Sequence, residues 1–319
     1  MISYFLRRLP SAIAVLFAAS VLIFAILRVV PGDPATTLAG PDASPETVAA
    51  INHELGLDQP VLTQYLNWIG NVLSFDLGHS YMIGGQISDL VVAGLGNTLW
   101  LTGAALLLAV TGSVIAALLW VGVPSRALDA ALTGFNTVAL ALPTFVTGVI
   151  LVLVFGLLLP ILPTGGVPPK GFLADPDIAV QYLILPAVCL ALPASASLTR
   201  FLAESLRTEL AAPYVTTARA AGVGPRRLLV AHALPAALPT YLTVLGLQAG
   251  SLLGGAVLVE AVFSWPGLGQ LAAQAIDRRD YPVVQILLLL SVAVFVVIQL
   301  STDLVHAYLD PRVRIGGLT

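Results

Sequence analysis

Charge is the first thing this sequence lacks. Only 10% of its 319 residues are Asp, Glu, Lys or Arg, while 58% are hydrophobic; an average soluble domain carries roughly 25% charged residues. A chain so composed cannot clothe itself for water, which excludes a soluble globular protein and points to a bilayer. Cysteine is nearly absent: the single Cys189 can form no internal disulfide and has no clustered ligands beside it, so it reads as core packing. Lysine is reduced to Lys170 and no GxxxxGK[ST] phosphate loop occurs, so the chain supplies no ATPase of its own. HExxH, GxSxG and paired acids at helical spacing are missing from the apolar stretches, which leaves intramembrane hydrolysis without its residues.

What the chain has in abundance is uninterrupted apolar length. Charge-free stretches run from Leu9 to Leu27, Thr98 to Val123, Ala130 to Pro169, Ile178 to Thr199, Ala233 to Val259 and Tyr281 to Thr302. Each is near or above the ~20 residues a helix needs to cross about 30 Å of hydrocarbon. The runs are continuous rather than alternating, which predicts helices and not barrel strands. The expected fold is all-α and integral to the membrane, with six transmembrane helices. The first follows Arg7 and Arg8 as a signal peptide would. Its apolar part exceeds the usual h-region of roughly 7 to 15 residues, and Pro31-Gly32-Asp33-Pro34 follows instead of a small-residue cleavage site, so it reads as an uncleaved span.

The distribution of charge sets the expected orientation. Residues 31–97 contain Asp33, Asp42, Glu46, Glu54, Asp58, Asp76 and Asp89 but no Lys or Arg, so this loop is expected outside. Six crossings then place both termini in the cytoplasm, together with Arg7, Arg8, Arg126, Arg200, Arg207, Arg219, Arg226, Arg227, Arg312 and Arg314. Arg28, Lys170, Arg278 and Arg279 are the exceptions, the last two beside Asp277 and Asp280. The predicted segments are 1–30 (N-terminus and first span), 31–97 (extracytoplasmic loop domain), 98–306 (spans two to six, with a cytoplasmic loop over 200–239) and 307–319 (cytoplasmic tail). Within the outer loop, Ser44-Pro45-Glu46 and Gly56 bracket a helix near Pro45 to Leu55. A second start signal, Asp58 before Pro60, precedes a helix over Val61 to Leu73.

The largest cytoplasmic loop holds the densest signal, YVTTARAAGVGPRRLLVAHALP from Tyr214 to Pro235. Pro213, Gly222, Gly224-Pro225 and Pro235 punctuate it, predicting short helices over Tyr214 to Ala221 and Arg226 to Leu234. A helix of about eight residues is marginal alone, so it must pack on something. Small residues (Ala218, Ala220, Ala221), an aromatic anchor (Tyr214) and Arg219, Arg226 and Arg227 suit a protein groove or, equally, anionic headgroups.

The spacing resembles the cytoplasmic EAA motif of ABC-importer permeases: EAA, three residues, G, nine residues, I, one residue, LP. Thr216-Thr217-Ala218 stands at EAA, Gly222 at G, His232 at I and Leu234-Pro235 at LP. Thr216 replaces the usual glutamate and His232 the isoleucine, and Ala221 stands where the peptide and nickel branch often has lysine. Further matches run along the chain: Tyr4 with Arg7-Arg8-Leu9, Leu55 to Pro60, Gln64-Tyr65, Asp76-Leu77-Gly78, Leu142 to Phe145, Gly254 to Val257, Glu260, Val262 to Gly269, Arg279 to Pro282 and Asp310-Pro311-Arg312. The chain is similar to the B-type permease subunit of dipeptide, oligopeptide and nickel ABC importers, dipeptide systems above all.

That resemblance implies a type I ABC importer permease fold in a bacterial or archaeal cytoplasmic membrane. It implies a C-type permease partner, two ATPase subunits or domains that bind ATP and magnesium, and an extracytoplasmic substrate-binding protein; no nucleic acid is involved. The permease itself holds no cofactor or metal and is not an enzyme. Short peptides, dipeptides first, are the implied cargo, with oligopeptide, nickel and haem as alternatives. ATPase coupling is implied for Tyr214, Thr216, Thr217, Ala218, Arg219, Ala220, Ala221, Gly222 and Arg226.

Gly246, Gly250 and Gly254 form a small-xxx-small face for packing within the chain or against the second permease. Glu260 and Asp303 lie near span ends where water is reachable, so a structural or gating role, with Glu260 the possible gate, is favoured over proton coupling. His232 and Gln248 read as satisfied helix-terminal and packing groups. The rival class is an ion-coupled secondary transporter, against which stand the EAA-like spacing and the paucity of buried ionisable groups.

Overall fold

The computed structural model of the protein describes residues 2–29, 34–39, 43–54 and 56–309. Pro31-Gly32-Asp33, Asp42, Leu55 and the tail from Asp310, with Asp310-Pro311-Arg312 and Arg314, lie outside them, as do the side chains of Arg7, Glu54 and Asp303. The described elements are helical: α1 Ile2–Val29, α2 Pro34–Ala39, α3 Pro45–Glu54, α4 Val61–Leu73, α5 Ile87–Gly122, α6 Arg126–Ala141, α7 Thr144–Leu151, α8 Pro176–Leu210, α9 Pro213–Ala220, α10 Pro225–Arg227, α11 Leu234–Val262, α12 Leu268–Asp277 and α13 Tyr281–Leu309. π-helical stretches extend α7 over Val152–Leu158 and join α10 to α11 over Leu228–Ala233. Five helices are long and apolar enough to cross a membrane, and six if α6 and α7 together make one bent span.

That bent span corrects the expected continuous helix from Ala130 to Pro169. Ser125 starts α6, its Oγ accepting from the Leu128 N–H at 3.4 Å. Leu142, forced towards extended backbone by the following proline, sits at φ −78° and ψ 126°, and Pro143 has no N–H to continue the ladder. The chain turns by 108° before α7. Helix ends at Leu158, and 159–175 is irregular with turns.

Two further expectations change. α8 continues past Thr199 to Leu210, tolerating Pro186 and Pro193 within it, as spans do when neighbours satisfy the freed carbonyls. Pro235 does not end a short second helix. The π stretch before it widens the backbone where the proline ring would otherwise clash, so helix runs unbroken from Pro225 to Val262.

The chain divides into two compact units. One is built mainly on Asn97–Pro266. Its core is rich in small side chains, with Ala105, Ala109, Ala191, Ala194, Ala237 and Ala256 buried among leucines, which lets helix backbones approach closely. α8 packs on α6, α7 and α11. Cys189 is buried there, its thiol donating to the Thr144 carbonyl at 3.3 Å, in keeping with a packing role.

The other unit comprises Phe5–Gly96 and Gly267–Val297. α3 and α4 are the two short helices expected of this region: Ser44 Oγ accepts from the Thr47 N–H at 3.2 Å, Gly56 turns at φ +64°, and α4 runs over Val61–Leu73. Asp58 serves not as a cap but as partner to His53 at 2.8 Å. Phe24, Tyr65 and Trp68 pack their rings between α1 and α4, and Ser20 Oγ meets Tyr65 Oη at 2.9 Å. Asp280 is buried, and its Oδ2 accepts from Ser80 Oγ and from the Met82 and Ile83 N–H groups. Its charge is therefore spent on the turn at 80–83 rather than on the neighbouring arginines. α12 between α11 and α13 has no counterpart in the span reading.

Two measurements follow. A Cβ on Gly165 would lie 2.4 Å from the Phe263 carbonyl oxygen, whereas one on Gly134, inside α6, meets nothing within 4 Å. Gly165→Ala is expected to destabilise by about 1–3 kcal/mol and Gly134→Ala to be neutral or stabilising by up to about 1 kcal/mol, read by thermal unfolding in detergent. The hydrogen bond and charge of Asp58 raise His53 above its ordinary 6.5, and the same hydrogen bond lowers Asp58 below 3.8. The pair is thus fully formed between those two values. It is lost as pH rises through the folded His53 value or falls through the folded Asp58 value. An NMR titration of the His53 ring should show the raised midpoint, and Asp58→Asn should return it to the ordinary one.

Candidate functional site

The segment between α8 and α10 is organised around one short helix. Ala212 enters with extended backbone, φ −68° and ψ 149°, and Pro213 takes the first helical position, where its missing N–H costs nothing. Val215 is the buried anchor, 2% exposed, and Ala218, one turn on, is half-buried. Tyr214, Thr216, Thr217, Arg219, Ala220 and Ala221 are exposed. The Tyr214 hydroxyl donates to Glu209 Oε2 at 3.0 Å, bracing α9 against the end of α8. Partial desolvation, then this bond and the Glu209 charge, hold the phenol above its ordinary 10.0.

α9 ends in a Schellman closure. The Val223 N–H donates to the Ala218 carbonyl at 3.1 Å and the Gly222 N–H to Arg219 at 2.9 Å. Gly222 sits at φ +83° with open space around it, so glycine is required by the left-handed conformation and not by crowding. Gly224 and Pro225 then start α10, the Leu228 N–H donating to the Gly224 carbonyl at 3.0 Å. Arg226 and Arg227 are exposed, while Leu228 and Leu229 are buried. A Cβ on Gly122, at the end of α5, would come within 2.9 Å of Leu229. The resulting surface is small, weakly cationic and rigidly tied to long helices on both sides. His232 is exposed.

The other predicted residues are separate from this surface. Gly246 and Gly250 are half-buried and Gly254 is exposed, with nothing within 4 Å of an added Cβ. Gly255, not singled out by the spacing, packs inside the chain: a Cβ added there would lie 3.2 Å from Leu190. Gln248 Nε2 donates to Ser197 Oγ at 3.0 Å, a packing group as expected.

Glu260 departs from expectation: it is 0% exposed, not reachable by water. Thr98 Oγ1 donates to its Oε1 at 2.6 Å, and the chain beyond α11 folds back so that the Trp265 N–H reaches the Glu260 carbonyl at 2.8 Å. Ser264 takes φ +47° in that turn. Trp265 Nε1 donates to the Asn97 carbonyl and Asn97 Nδ2 to the Pro266 carbonyl.

Sequence reasoning missed one site altogether. A cleft of about 640 Å³ lies between the end of α5, α6 and α8, and Trp120, Asn136, Ser197, Arg200, Glu204 and Arg207 line it. Arg207 lies 3.7 Å from Glu204 and stacks 5.1 Å over the Trp120 ring. Asn136 is 2% exposed, and neither its Nδ2 nor its Oδ1 has a partner, a state that costs about 1–3 kcal/mol. A second cleft of about 600 Å³ in the other unit is rich in amides, with Gln59, Gln64, Asn67, Asn71 and Gln285 on its walls. The available signal for the first was Arg200 and Glu204 one helical turn apart at the end of an apolar run.

Two family profiles match the chain. One describes a binding-protein-dependent transport system inner membrane component and matches residues 109–315. The other, the N-terminal part of such a membrane component, matches residues 1–102. A probable peptide ABC transporter permease protein, y4tP of Sinorhizobium fredii, is 37% identical over 314 residues, covering 98% of this chain and 99% of the relative. The glutathione transport system permease protein GsiC of Escherichia coli K12 is 35% identical over 314 residues with the same coverage. Among solved structures, a chain of the MetNI methionine ABC transporter in an inward-facing conformation aligns with a TM-score of 0.53 at 21% identity, over 69% of this chain and 96% of that one. That likeness concerns the fold alone.

Replacing Thr98 by Val removes the hydroxyl that donates to Glu260 while keeping shape. The expected loss is about 1–3 kcal/mol, visible as a lower thermal midpoint in detergent; an unchanged midpoint would show that this bond does not hold the α11 turn.

Proposed function

The chain belongs to the binding-protein-dependent transport system inner membrane components, permeases of ABC importers, and from that membership we propose that it carries short peptides inward. The names of its relatives support a peptide-like cargo, one a peptide transporter and one a glutathione transporter. Glutathione is a class the sequence alone did not suggest. Dipeptides remain the first choice. Nickel and haem find no counterpart in these relatives' names.

In this reading the acid-only loop over 31–97 faces outward to a substrate-binding protein, and both termini are cytoplasmic. A second permease supplies the other half of the pathway, and two ATPase subunits or domains bind ATP and magnesium. The exposed Gly254, whose face is open within the chain, suits the second permease. α9 is the coupling element. The observation that carries this assignment is the helix itself: seated by Val215, closed by Gly222, and presenting Tyr214, Thr216, Thr217, Arg219, Ala220 and Ala221 outward. Arg226 extends the same surface. Ala218, half-buried, serves seating as much as contact.

Mechanically, α9 is joined to α8 by Ala211-Ala212 and to the helix beginning at Pro225 by Ala221 to Gly224. Both neighbours are long: Pro176–Leu210 has 35 residues and Pro225–Val262 has 38. A partner that grips α9 and moves on ATP binding therefore rotates two spans as rigid levers, alternating access without chemistry in this chain.

Ala220→Trp tests the assignment better than a bulky residue at Ala218, because Ala220 is exposed and its change leaves the seating intact. Ala220→Trp is expected to abolish ATPase co-purification and peptide uptake with membrane insertion preserved. Gly222→Ala, straining the left-handed position by about 1–2 kcal/mol, is expected to weaken both. Wild-type assembly and uptake in Ala220→Trp would overturn the coupling role, and altered binding to anionic vesicles instead would assign the segment to lipid headgroups.

A further inference from the structure

We propose that the cleft between α5, α6 and α8 is a transient site for zwitterionic, dipeptide-sized cargo, with Arg200 receiving the carboxylate and Glu204 the ammonium. The proposal rests on the short-peptide reading above and locates a stop on the path. At about 640 Å³ the cleft falls within the roughly 300–1,000 Å³ range of small-molecule sites.

Its charges are spaced for such a ligand. Arg200 and Glu204 stand at i and i+4 on α8, which puts their Cβ atoms about 5–6 Å apart on one face. One peptide unit spans 3.8 Å between Cα atoms, so the charged ends of an extended dipeptide lie roughly 5–6 Å apart. Arg200 has no ion-pair partner among the described residues. Glu204 has only Arg207 at 3.7 Å, with side-chain exposures of 75% and 47%, and so weak a pair yields readily to a better partner. Between the charges a dipeptide presents one N–H and one C=O. Asn136, with two donors and one acceptor, is the side chain that complements both, and it is the cleft residue whose polar atoms are orphaned. A phosphodiester by itself offers acceptors alone and would leave Glu204 and the Asn136 oxygen unmatched.

Asn136 lies buried at the base of the cleft, so cargo reaches its amide only as α6 and α8 part. Occupancy is thereby tied to opening. Leu140, Phe201 and Trp120 supply apolar wall beside the hydroxyls of Thr133, Thr137 and Ser197, a mixed lining that admits cargo with varied side chains. Weak, multi-point contact also suits a site that cargo must leave.

The test uses the full transporter in proteoliposomes and glycyl-photoleucine as probe. Irradiation should label segments 126–141 and 176–210. Ala-Ala should compete with the probe, whereas N-acetyl-Ala-Ala and Ala-Ala amide should compete roughly tenfold more weakly, the effect of one lost charge-assisted hydrogen bond. Arg200→Gln should abolish the preference for the free acid and Glu204→Gln that for the free amine, each with a wild-type thermal midpoint; Arg200→Lys should retain the former. Labelling of other spans, equal competition by all three peptides, or competition by phosphatidylglycerol in place of Ala-Ala would overturn the site. Peptide uptake that persists in that case leaves the short-peptide reading standing, while absence of any peptide uptake by the wild-type transporter overturns both.

Discussion

In hydrocarbon, a backbone N–H or C=O without a partner costs several kcal/mol, and no water is at hand to supply one. Three irregularities among the described residues bear on that constraint. At Leu142-Pro143 the proline removes a donor at the point where the helix turns. The Phe263 carbonyl, past the end of α11, accepts from the Gly166 N–H at 2.9 Å, an approach possible only because Gly165 beside it has no Cβ. Before Pro235 a π stretch keeps the helix continuous. At Phe263 and Gly166 protein groups thus close over non-helical backbone, and the long helices between such breaks are stiff pieces.

Rigidity of that kind is what allows a small surface helix to matter. α9 is too short to hold its own shape in water. Val215 beneath it, Tyr214 bonded to Glu209, and the Schellman closure at Gly222 make it a fixed feature of the α8 and α10 ends. On the coupling role proposed for α9, a push on it is passed to the ends of α8 and α10, and Leu229 beside Gly122 extends that path towards α5.

How much of this was legible depends on the range of the interaction concerned. Covalent spacing is short-range, so the interval from Gly222 to Pro235, the α3 and α4 boundaries and the apolar runs could be read from residue order. Ser44, Gly56 and Pro213 act on their own neighbours and their effects were read correctly. Pro143 and Pro235 show the limit: both are prolines in apolar runs, yet one breaks the helix and the other does not, because a π stretch accommodates the second. Glu260 was misjudged for a related reason. Its position near a helix end suggested water, but the group that meets it is Thr98, 162 residues away. The cleft at Asn136 was invisible in the same way, being assembled from three helices.

The buried orphan amide of Asn136 and the buried, hydrogen-bonded carboxylate of Glu260 carry opposite messages about motion. Glu260 is held by Thr98 and by the turn through Trp265, so separating those elements would strip a buried carboxyl group of these partners. Asn136 has no hydrogen bond to lose where α6 and α8 meet, so on the proposed reading this is the place that yields. On the reading proposed for this chain, alternating access would use both kinds of place, a latch at Glu260 and a seam at Asn136. Here they lie at opposite ends of the same bundle: Glu260 two residues from the end of α11, and Asn136 facing the half of α8 that leads to α9. On the coupling role proposed for α9, a force applied there meets the seam between α6 and α8 before it meets the Thr98–Glu260 contact.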